Sequence, residues 1–157
     1  MSNLANKSSF RRRAMVAKDY CPMALTADIL GDRWILLILR EAFYGVVRYD
    51  DMLKDLGAPR STLTDRLNTL VKFELMERRP YKEAGERARS CYVLTKKGKD
   101  LAPIFMAMTQ WGEDHILKSA SPVQIIDTET GQALKLDLVD QKGNKIPPSQ
   151  AVLSKRP

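Results

Sequence analysis

One segment of this 157-residue chain, residues 48–95, constrains the fold more than any other. Apolar residues at helical spacing predict a short amphipathic helix over Tyr49–Leu56. Gly57-Ala58-Pro59 then ends that helix, because glycine tolerates a left-handed turn and proline lacks the amide hydrogen that would continue it. A second helix is predicted by the apolar stripe of Leu63, Leu67, Leu70 and Val71. Two amphipathic helices joined by so short a turn predict a helix-turn-helix unit.

The second helix carries short polar side chains opposite its apolar stripe. Ser61 or Thr62 is expected to cap it, with Asp65 completing a near capping box. Its polar face is predicted to consist of Thr62, Asp65, Arg66 and Thr69, flanked by Arg60, Ser61, Thr64 and Asn68. Hydroxyl, amide and guanidinium groups hydrogen-bond base edges and phosphates, whereas an ordinary solvated face is rich in Lys and Glu. The predicted DNA contacts are therefore Arg60, Ser61, Thr62, Thr64, Asp65, Arg66 and Asn68, with Arg66 the strongest candidate.

A basic hairpin is predicted after the second helix. Two runs with strand character, residues 76–82 and 88–94, flank a turn that contains Gly85. Side chains alternate between the faces of a strand, so Arg87 and Arg89 share one face and can both contact a phosphate backbone. The dipeptide Val46-Val47 can supply a short strand beside this hairpin. Helix, tight turn, polar-faced helix and basic hairpin together indicate a winged helix-turn-helix.

The charge distribution favours a polyanionic partner. The chain has a net charge of +7 and a pI of about 9.5. Residues 60–89 hold eight basic residues against five acidic, and residues 1–20 hold five against one. Arg78 and Arg79 either belong to this basic surface or only pair with Glu74 or Glu77. Residues 1–19 form a basic arm that is either a solvated tail or a segment following a phosphate backbone or minor groove.

The residue inventory argues against an enzyme, a metalloprotein and a membrane protein. His115 is the only histidine, and Cys21 and Cys91 are the only cysteines, so acid–base, nucleophile and metal constellations are lacking. The longest apolar run, residues 34–39, is too short to cross a bilayer, and the N-terminus lacks the apolar stretch of a signal peptide. A non-enzymatic cytoplasmic protein without cofactor, metal or membrane is expected.

Two earlier helices are expected to supply the core. Residues 23–30 carry apolar residues at helical spacing, and Gly31-Asp32 breaks that pattern. Residues 33–43 are apolar nearly all round, which places their helix at the centre of a core. Trp34 is interpreted as a packing residue in preference to a ligand-stacking one.

A long helix over residues 96–118, capped by Thr95 and kinked near Pro103, is predicted to follow the hairpin. Its apolar seam is formed by Leu101, Ile104, Phe105, Met108 and Trp111, continued by His115 or Ile116. The seam lies outside the trihelical core and would expose too much apolar surface in a monomer, which predicts a homodimer interface. The alternative is that this helix folds back on its own domain.

The last segment predicts a small β annex. Alternating apolar residues and turns at Thr130-Gly131 and residues 141–144 indicate two or three short strands that could shield the dimer helix or line a ligand cavity. The expected organisation is a basic arm over 1–19, a winged helix-turn-helix domain with its dimerisation helix over 20–118, and the annex over 119–157. The fold class is mainly α with a small β wing.

With these residues in view, the chain resembles the HxlR-type winged helix-turn-helix regulators. The matching motifs are Cys21-Pro22, GDRWILLIL at 31–39, RYDDML at 48–53, STLTDRLNTLVKFELMERRPY at 61–81 and YVLTKKGKDLAPIF…W at 92–111. The resemblance implies a homodimeric transcription regulator, expected to be a repressor, on double-stranded DNA with a pseudo-palindromic operator. It also implies that the helix around 61–72 reads the major groove, that the hairpin around 82–90 touches the backbone, and that the protein lies on a bacterial or archaeal nucleoid.

The same resemblance raises the question of an effector. In part of the family, a cysteine near the start of the first helix senses quinones, aldehydes or oxidants, and Cys21 matches that position. The other interpretation is that Cys21 is a small buried hydrophobe. Two alternatives to DNA reading are a winged-helix protein-interaction adaptor and a small-molecule-binding protein with a cavity between the dimer helix and the core. The second is compatible with DNA binding, because an effector can couple the two by a population shift.

Overall fold

The computed structural model describes residues 16–82, 85 and 88–154, which are mainly helical with a small antiparallel sheet, as predicted. The helices are α1 Pro22–Leu30, α2 Arg33–Phe43, α3 Tyr49–Leu56, α4 Arg60–Lys72, α5 Lys96–Lys99 and α6 Ala102–His115. The strands are β1 Met76–Tyr81, β2 Arg89–Leu94, β3 Leu138–Val139 and β4 Lys145–Ile146. Short 3-10 turns lie at Lys18–Tyr20 and Pro148–Gln150.

The core forms where α2, α3 and α4 pack together under the wing. Helix α2 buries Ile35, Ile38 and Leu39, in agreement with its nearly continuous apolar surface. Helix α4 buries the stripe of Leu63, Leu67 and Leu70, and Met52 fills the contact from α3. Gly57 ends α3 with a φ of 61°, a left-handed conformation that glycine adopts without a steric penalty. The helix-turn-helix predicted from this segment is therefore present.

The wing is an antiparallel pair whose register runs from Met76 opposite Leu94 to Tyr81 opposite Arg89. The predicted strand at Val46-Val47 is wrong in extent. This segment pairs with the wing through one isolated β-bridge, between Arg48 and Cys91. The amide of Val46 donates instead to the Glu41 carbonyl, 3.0 Å away, and thereby closes the end of α2. Only the Val47 carbonyl is left to accept from the Tyr92 amide at 2.7 Å.

The predicted single helix over residues 96–118 is also wrong in extent. Thr95 does cap its start, because its Oγ1 accepts from the Gly98 amide at 3.0 Å, but α5 lasts one turn. A new helix, α6, begins at Ala102, since Pro103 has no amide hydrogen for a continuous ladder and is tolerated only in a first turn. Helix α6 ends at His115, three residues earlier than predicted.

The annex consists of two hairpin-like turns laid beside α6. One closes at the bridge between Ile126 and Ala133, and the other is the β3–β4 pair. Gln110 of α6 fastens the annex: its Nε2 donates to the Leu136 carbonyl at 3.2 Å, and its Oε1 accepts from the Leu136 amide at 3.0 Å. Of the helices described, none is long and apolar enough to cross a membrane.

Candidate nucleic-acid interface

Helix α4 presents a polar face to solvent, but its centre differs from the predicted one. The exposed side chains are Arg60, Ser61, Thr64, Asp65, Asn68 and Lys72, spaced three to four residues apart along one side. Thr62, Arg66 and Thr69, which were predicted to belong to that face, are half-buried. The buried stripe is centred on Leu63, Leu67 and Leu70, which turns the opposite side of the helix toward residues 61, 65 and 68.

The N-terminus of α4 is built differently from the predicted capping box. The helix begins at Arg60 with Pro59 at the N-cap and no side-chain cap, so neither Ser61 nor Thr62 caps it. Thr64 Oγ1 donates to the Arg60 carbonyl at 2.9 Å. The Tyr49 hydroxyl, from the start of α3, lies 3.1 Å from both that carbonyl and Thr64 Oγ1. Ser61 therefore lies exposed in the first turn of α4 and does not cap the helix.

Tyr49 was not among the predicted site residues. Its ring belongs to the apolar side of α3 and packs against the core, so its spacing gave only a packing signal. The hydroxyl at its tip reaches the first turn of α4, eleven residues further along the chain. An amphipathic side chain of this kind keeps its body in the core and its polar end at the surface.

Arg66 engages the start of α2. Its Nε donates to Asp32 Oδ2 at 2.9 Å, and both side chains are about one-third exposed, at 35% and 32%. Partial burial raises the pKa of Asp32, but hydrogen bonds from the Ile35 amide, Arg66 and the Trp34 amide, with the Arg66 charge, outweigh it and hold the pKa below its ordinary value. Arg66, the strongest predicted DNA-contact residue, is thus hydrogen-bonded to the N-cap of a neighbouring helix.

The wing carries arginines with different partners. Arg89 Nη1 lies 3.3 Å from Asp50 Oδ2 at the start of α3, and both side chains are more than half exposed. Arg78 Nε donates to Ser90 Oγ at 2.7 Å, whereas Arg79 pairs with Glu77 on its own strand. Arg87 lies outside the described residues, so its predicted place beside Arg89 stays a prediction.

A further cation beside the wing was missed by the sequence analysis. The guanidinium of Arg48 lies over the Tyr81 ring, 4.9 Å from its centroid, at the junction of α3 with β1. A guanidinium on an aromatic face is a cation–π contact. The two residues are thirty-three positions apart, so no local pattern reveals this pair.

The predicted seam of α6 divides into two sides. Leu101 and Phe105 are half-buried against the core, and the Phe105 ring lies 5.0 Å from that of Phe43. Ile104, Met108 and Trp111 are 39%, 48% and 58% exposed. These three line an apolar groove of about 690 Å³ together with Pro103, Ala107, Gly112 and Ile116. The fold-back alternative therefore holds for Leu101 and Phe105, whereas no described residue covers the outer side of α6.

The two cysteines occupy different settings. Cys21 is half-buried at the N-cap of α1, where its side chain makes no capping hydrogen bond. Cys91 lies in β2 with Sγ 3.5 Å from the Arg79 carbonyl. Among the described residues, no group of three or more His, Cys, Asp and Glu side chains could hold a metal ion.

Comparison with known proteins gives this architecture a family. The model of the HxlR-like helix-turn-helix family matches residues 29–120. The chain is 42% identical over 95 residues to an uncharacterized HTH-type transcriptional regulator of Mycobacterium tuberculosis, MT3179, covering 60% of this chain and 59% of that protein's length. The regulator sll1512 of Synechocystis is 32% identical over 110 residues, covering 69% of this chain and 80% of the relative.

Solved structures agree in fold. PA1607, described as a candidate transcription factor, matches with a TM-score of 0.76 and 32% identity over 87% of this chain and 96% of its own. The redox regulator HypR in its reduced form matches with a TM-score of 0.54 and 25% identity over 60% of this chain and 92% of its own. These relatives are named as transcription regulators and not as enzymes. The protein belongs to the HxlR-like helix-turn-helix family of transcriptional regulators.

Proposed function

We propose that this regulator binds a pseudo-palindromic operator as a homodimer, with α4 in the major groove and the wing on the flanking phosphate backbone. The observation that carries the proposal is the exposed face of α4, where Ser61, Asp65 and Asn68 lie in line with Arg60 at its start. Short hydroxyl, carboxylate and amide groups reach base edges, and an arginine at a helix N-terminus contacts guanine or phosphate.

The wing supports the backbone contact. Arg89 lies on an exposed strand, and its ion pair with Asp50 spans two half-exposed side chains in water, where such a pair contributes little stability. A phosphate can therefore replace the carboxylate as its partner at small cost. Contacts of this kind do not select a sequence, but they fix the orientation of the protein on the duplex.

The homodimer is supported by the uncovered side of α6. Ile104, Met108 and Trp111 form an apolar surface that a second copy would remove from water. A twofold axis beside this helix would place the two α4 helices in successive major grooves, about 34 Å apart. Repression would follow where the operator overlaps a promoter.

The test is footprinting on the DNA beside the protein's own gene, followed by mobility shifts with variants. Asn68→Ala should weaken operator binding by about 1–3 kcal/mol if the amide reads a base, and should relax the preference at that base pair. Thr26→Ala, an exposed change on α1, is the matched control. Unchanged operator affinity in a combined Arg60→Ala and Asn68→Ala variant would contradict the proposal.

A small-molecule effector is favoured by one further observation. Between α6 and the annex lies a cleft of about 740 Å³, walled by Trp111 and His115 on one side and by Leu136, Leu138 and Ile146 on the other. Its size and largely apolar walls suit a small aromatic ligand. Trp111 also lines the apolar groove, so an occupant would touch the proposed dimer surface. Screening aromatic compounds by Trp fluorescence, with Leu138→Ala as the variant expected to lose the response, tests this candidate.

A redox response at Cys21 is the second candidate for regulation. The thiol lies at the N-cap of α1, where it is half-exposed and makes no capping hydrogen bond. One structural neighbour, HypR, is itself described as a redox regulator. Wild type and Cys21→Ser should be treated with a quinone or peroxide and compared in operator binding, with Cys91→Ser as control. An equal response in wild type and Cys21→Ser would remove this candidate and leave DNA binding untouched.

A further inference from the structure

Asp32 lies at the junction of three helices. Helix α1 ends at Leu30, Gly31 forms the connection, and Asp32 is the N-cap of α2. The connection is tight: a Cβ added at Gly31 would lie 2.5 Å from the Ala27 carbonyl oxygen, closer than real atoms approach. A side chain at position 31 would therefore clash with the last turn of α1, so glycine fits this connection where larger residues do not.

The carboxylate of Asp32 divides its two oxygens between two helices. Oδ1 accepts from the Trp34 and Ile35 amides at 2.9 and 3.1 Å and so caps α2. Oδ2 accepts from Arg66 Nε at 2.9 Å in the middle of α4, thirty-four residues away. The arginine thus donates to an acceptor that the first turn of α2 already holds in place.

Helices α2 and α4 both contribute apolar side chains to the shared core, among them Ile38, Leu39 and Leu67. Apolar burial is non-directional, so it fixes how close two helices lie but only weakly fixes rotation about their axes. A charge-assisted hydrogen bond is directional and stronger than a neutral one. Rotation of α4 decides whether Ser61, Asp65 and Asn68 point at the DNA.

We propose that Asp32 and Arg66 form a brace that sets the rotation of α4, so that both are positioning residues for DNA reading and Arg66 does not itself read a base. This inference rests on the proposed function, because it assigns the brace to the helix that is proposed to enter the groove. Arg66 is half-buried on the side of α4 that faces α2, adjacent to but not on the exposed face.

The sign of one substitution separates the brace from a direct contact. Asparagine is as good an N-cap as aspartate, so Asp32→Asn keeps the cap of α2 while it removes the charge that holds Arg66. If Arg66 contacted phosphate, losing this competing carboxylate would tighten DNA binding. The brace predicts the opposite: Asp32→Asn and Arg66→Lys should each weaken operator binding roughly tenfold, the value expected for one hydrogen bond to a charged group.

The matched control is Asp28→Asn, which removes the same charge from α1, where Asp28 pairs with Lys18. The salt dependence of binding supplies a second readout. A positioning role leaves its slope unchanged in Arg66→Ala, whereas a lost phosphate contact lowers the slope by about one. Tighter or unchanged binding by Asp32→Asn, or a lowered slope in Arg66→Ala, would overturn the brace.

A measurement without DNA keeps this result separate from the proposed function. Residual dipolar couplings of the free protein report the orientation of α4 relative to α2. Asp32→Asn and Arg66→Lys should change that orientation or broaden the α4 signals, and Asp28→Asn should not. If the wild-type protein bound no operator, the proposed function would be wrong, but the couplings would still test the brace. Couplings identical to those of wild type in both Asp32→Asn and Arg66→Lys would refute the brace.

Discussion

The two halves of this protein differ in whether their large apolar side chains are buried or exposed. Every buried hydrophobic residue of the described chain lies between Leu30 and Tyr92, within the helices α1–α4, the wing and their connections. Helix α6 buries none of its residues, and the annex buries none of those described over 119–154. The second half instead exposes large side chains, among them Met108, Trp111 and Ile116.

The difference shows which part is complete by itself. The first half encloses a core in which seven large side chains, such as Ile38 and Leu67, are essentially inaccessible. Removing so much apolar surface from water is the main source of folding free energy, so that half is expected to fold without a partner. Helix α6 packs on the first half through Leu101 and Phe105, and Gln110 joins the annex to α6. The opposite side of α6 exposes Met108 and Trp111.

The largest effect is expected from a truncation in the first half. Leu67→Ala should lower the free energy of unfolding by about 3 kcal/mol, because it removes buried methyl groups and leaves a cavity. Met108→Ala on α6 is the control, and should change the free energy by less than about 1 kcal/mol when measured on monomer. Urea unfolding followed by circular dichroism gives both values. Similar losses of unfolding free energy in the two variants would contradict the claim that the core lies in the first half.

The next effect tests the second half through assembly. Trp111→Glu places a charge in the apolar groove and should raise the dimer dissociation constant at least about a hundredfold, as loss of an aromatic anchor does. Sedimentation across a concentration series measures it. Operator affinity should fall with dimerisation while the melting of the α2–α4 core is retained. If the wild-type protein sediments as a folded monomer at all concentrations, the proposed homodimer is contradicted.

A smaller effect is expected at the wing, and it should leave assembly intact. Arg89→Ala should weaken binding to operator and unrelated DNA alike, by roughly 1 kcal/mol, and lower the salt slope by about one, because one phosphate contact and its released counterion are lost. Fluorescence anisotropy at several salt concentrations provides the slope. A selective loss for the operator would show that Arg89 reads bases, contrary to this assignment.

The smallest effect concerns pH, and it is confined to the annex turns. The Glu129 amide and the Thr130 hydroxyl hold the pKa of Asp127 below its ordinary value, and the side-chain and backbone amides of Asn144 do the same to Asp140. Because the folded pKa is the lower one, each turn is stabilised by its charged carboxylate above the unfolded value of 3.8 and loses that stability as pH falls below it.

Amide chemical shifts followed by NMR from about pH 6 to pH 3 check this expectation. The Glu129 and Lys142 amides, which donate to Asp127 and Asp140, should lose their hydrogen-bonded shifts over the lower part of that range. The Ile38 amide in the core serves as reference. Asp127→Asn should remove the transition from its own turn only; a transition that persists there would exclude the carboxylate as its cause.

Local signals in the sequence predicted the first half well. The bounds of α2 and α3 match the predicted ones, because an Asp N-cap, continuous apolar periodicity and a left-handed glycine act within a few residues of one another. The start of α4 was placed too late, since Pro59 takes the N-cap position that Ser61 and Thr62 were expected to occupy. The prediction of one long final helix was wrong at Pro103. The chain forms two separate helices there, and not one kinked helix.

The chain by itself determined the order of its elements, the polar character of α4 and the basic hairpin, because periodicity, caps and charge are properties of neighbouring residues. Tertiary structure decided which side of each helix meets a partner. It joined Arg66 to Asp32, brought Tyr49 to Thr64, and turned Phe105 inward while Trp111 stayed outside. These pairs depend on the rotation of packed helices, and a shift of one residue moves a side chain about 100° around its helix axis.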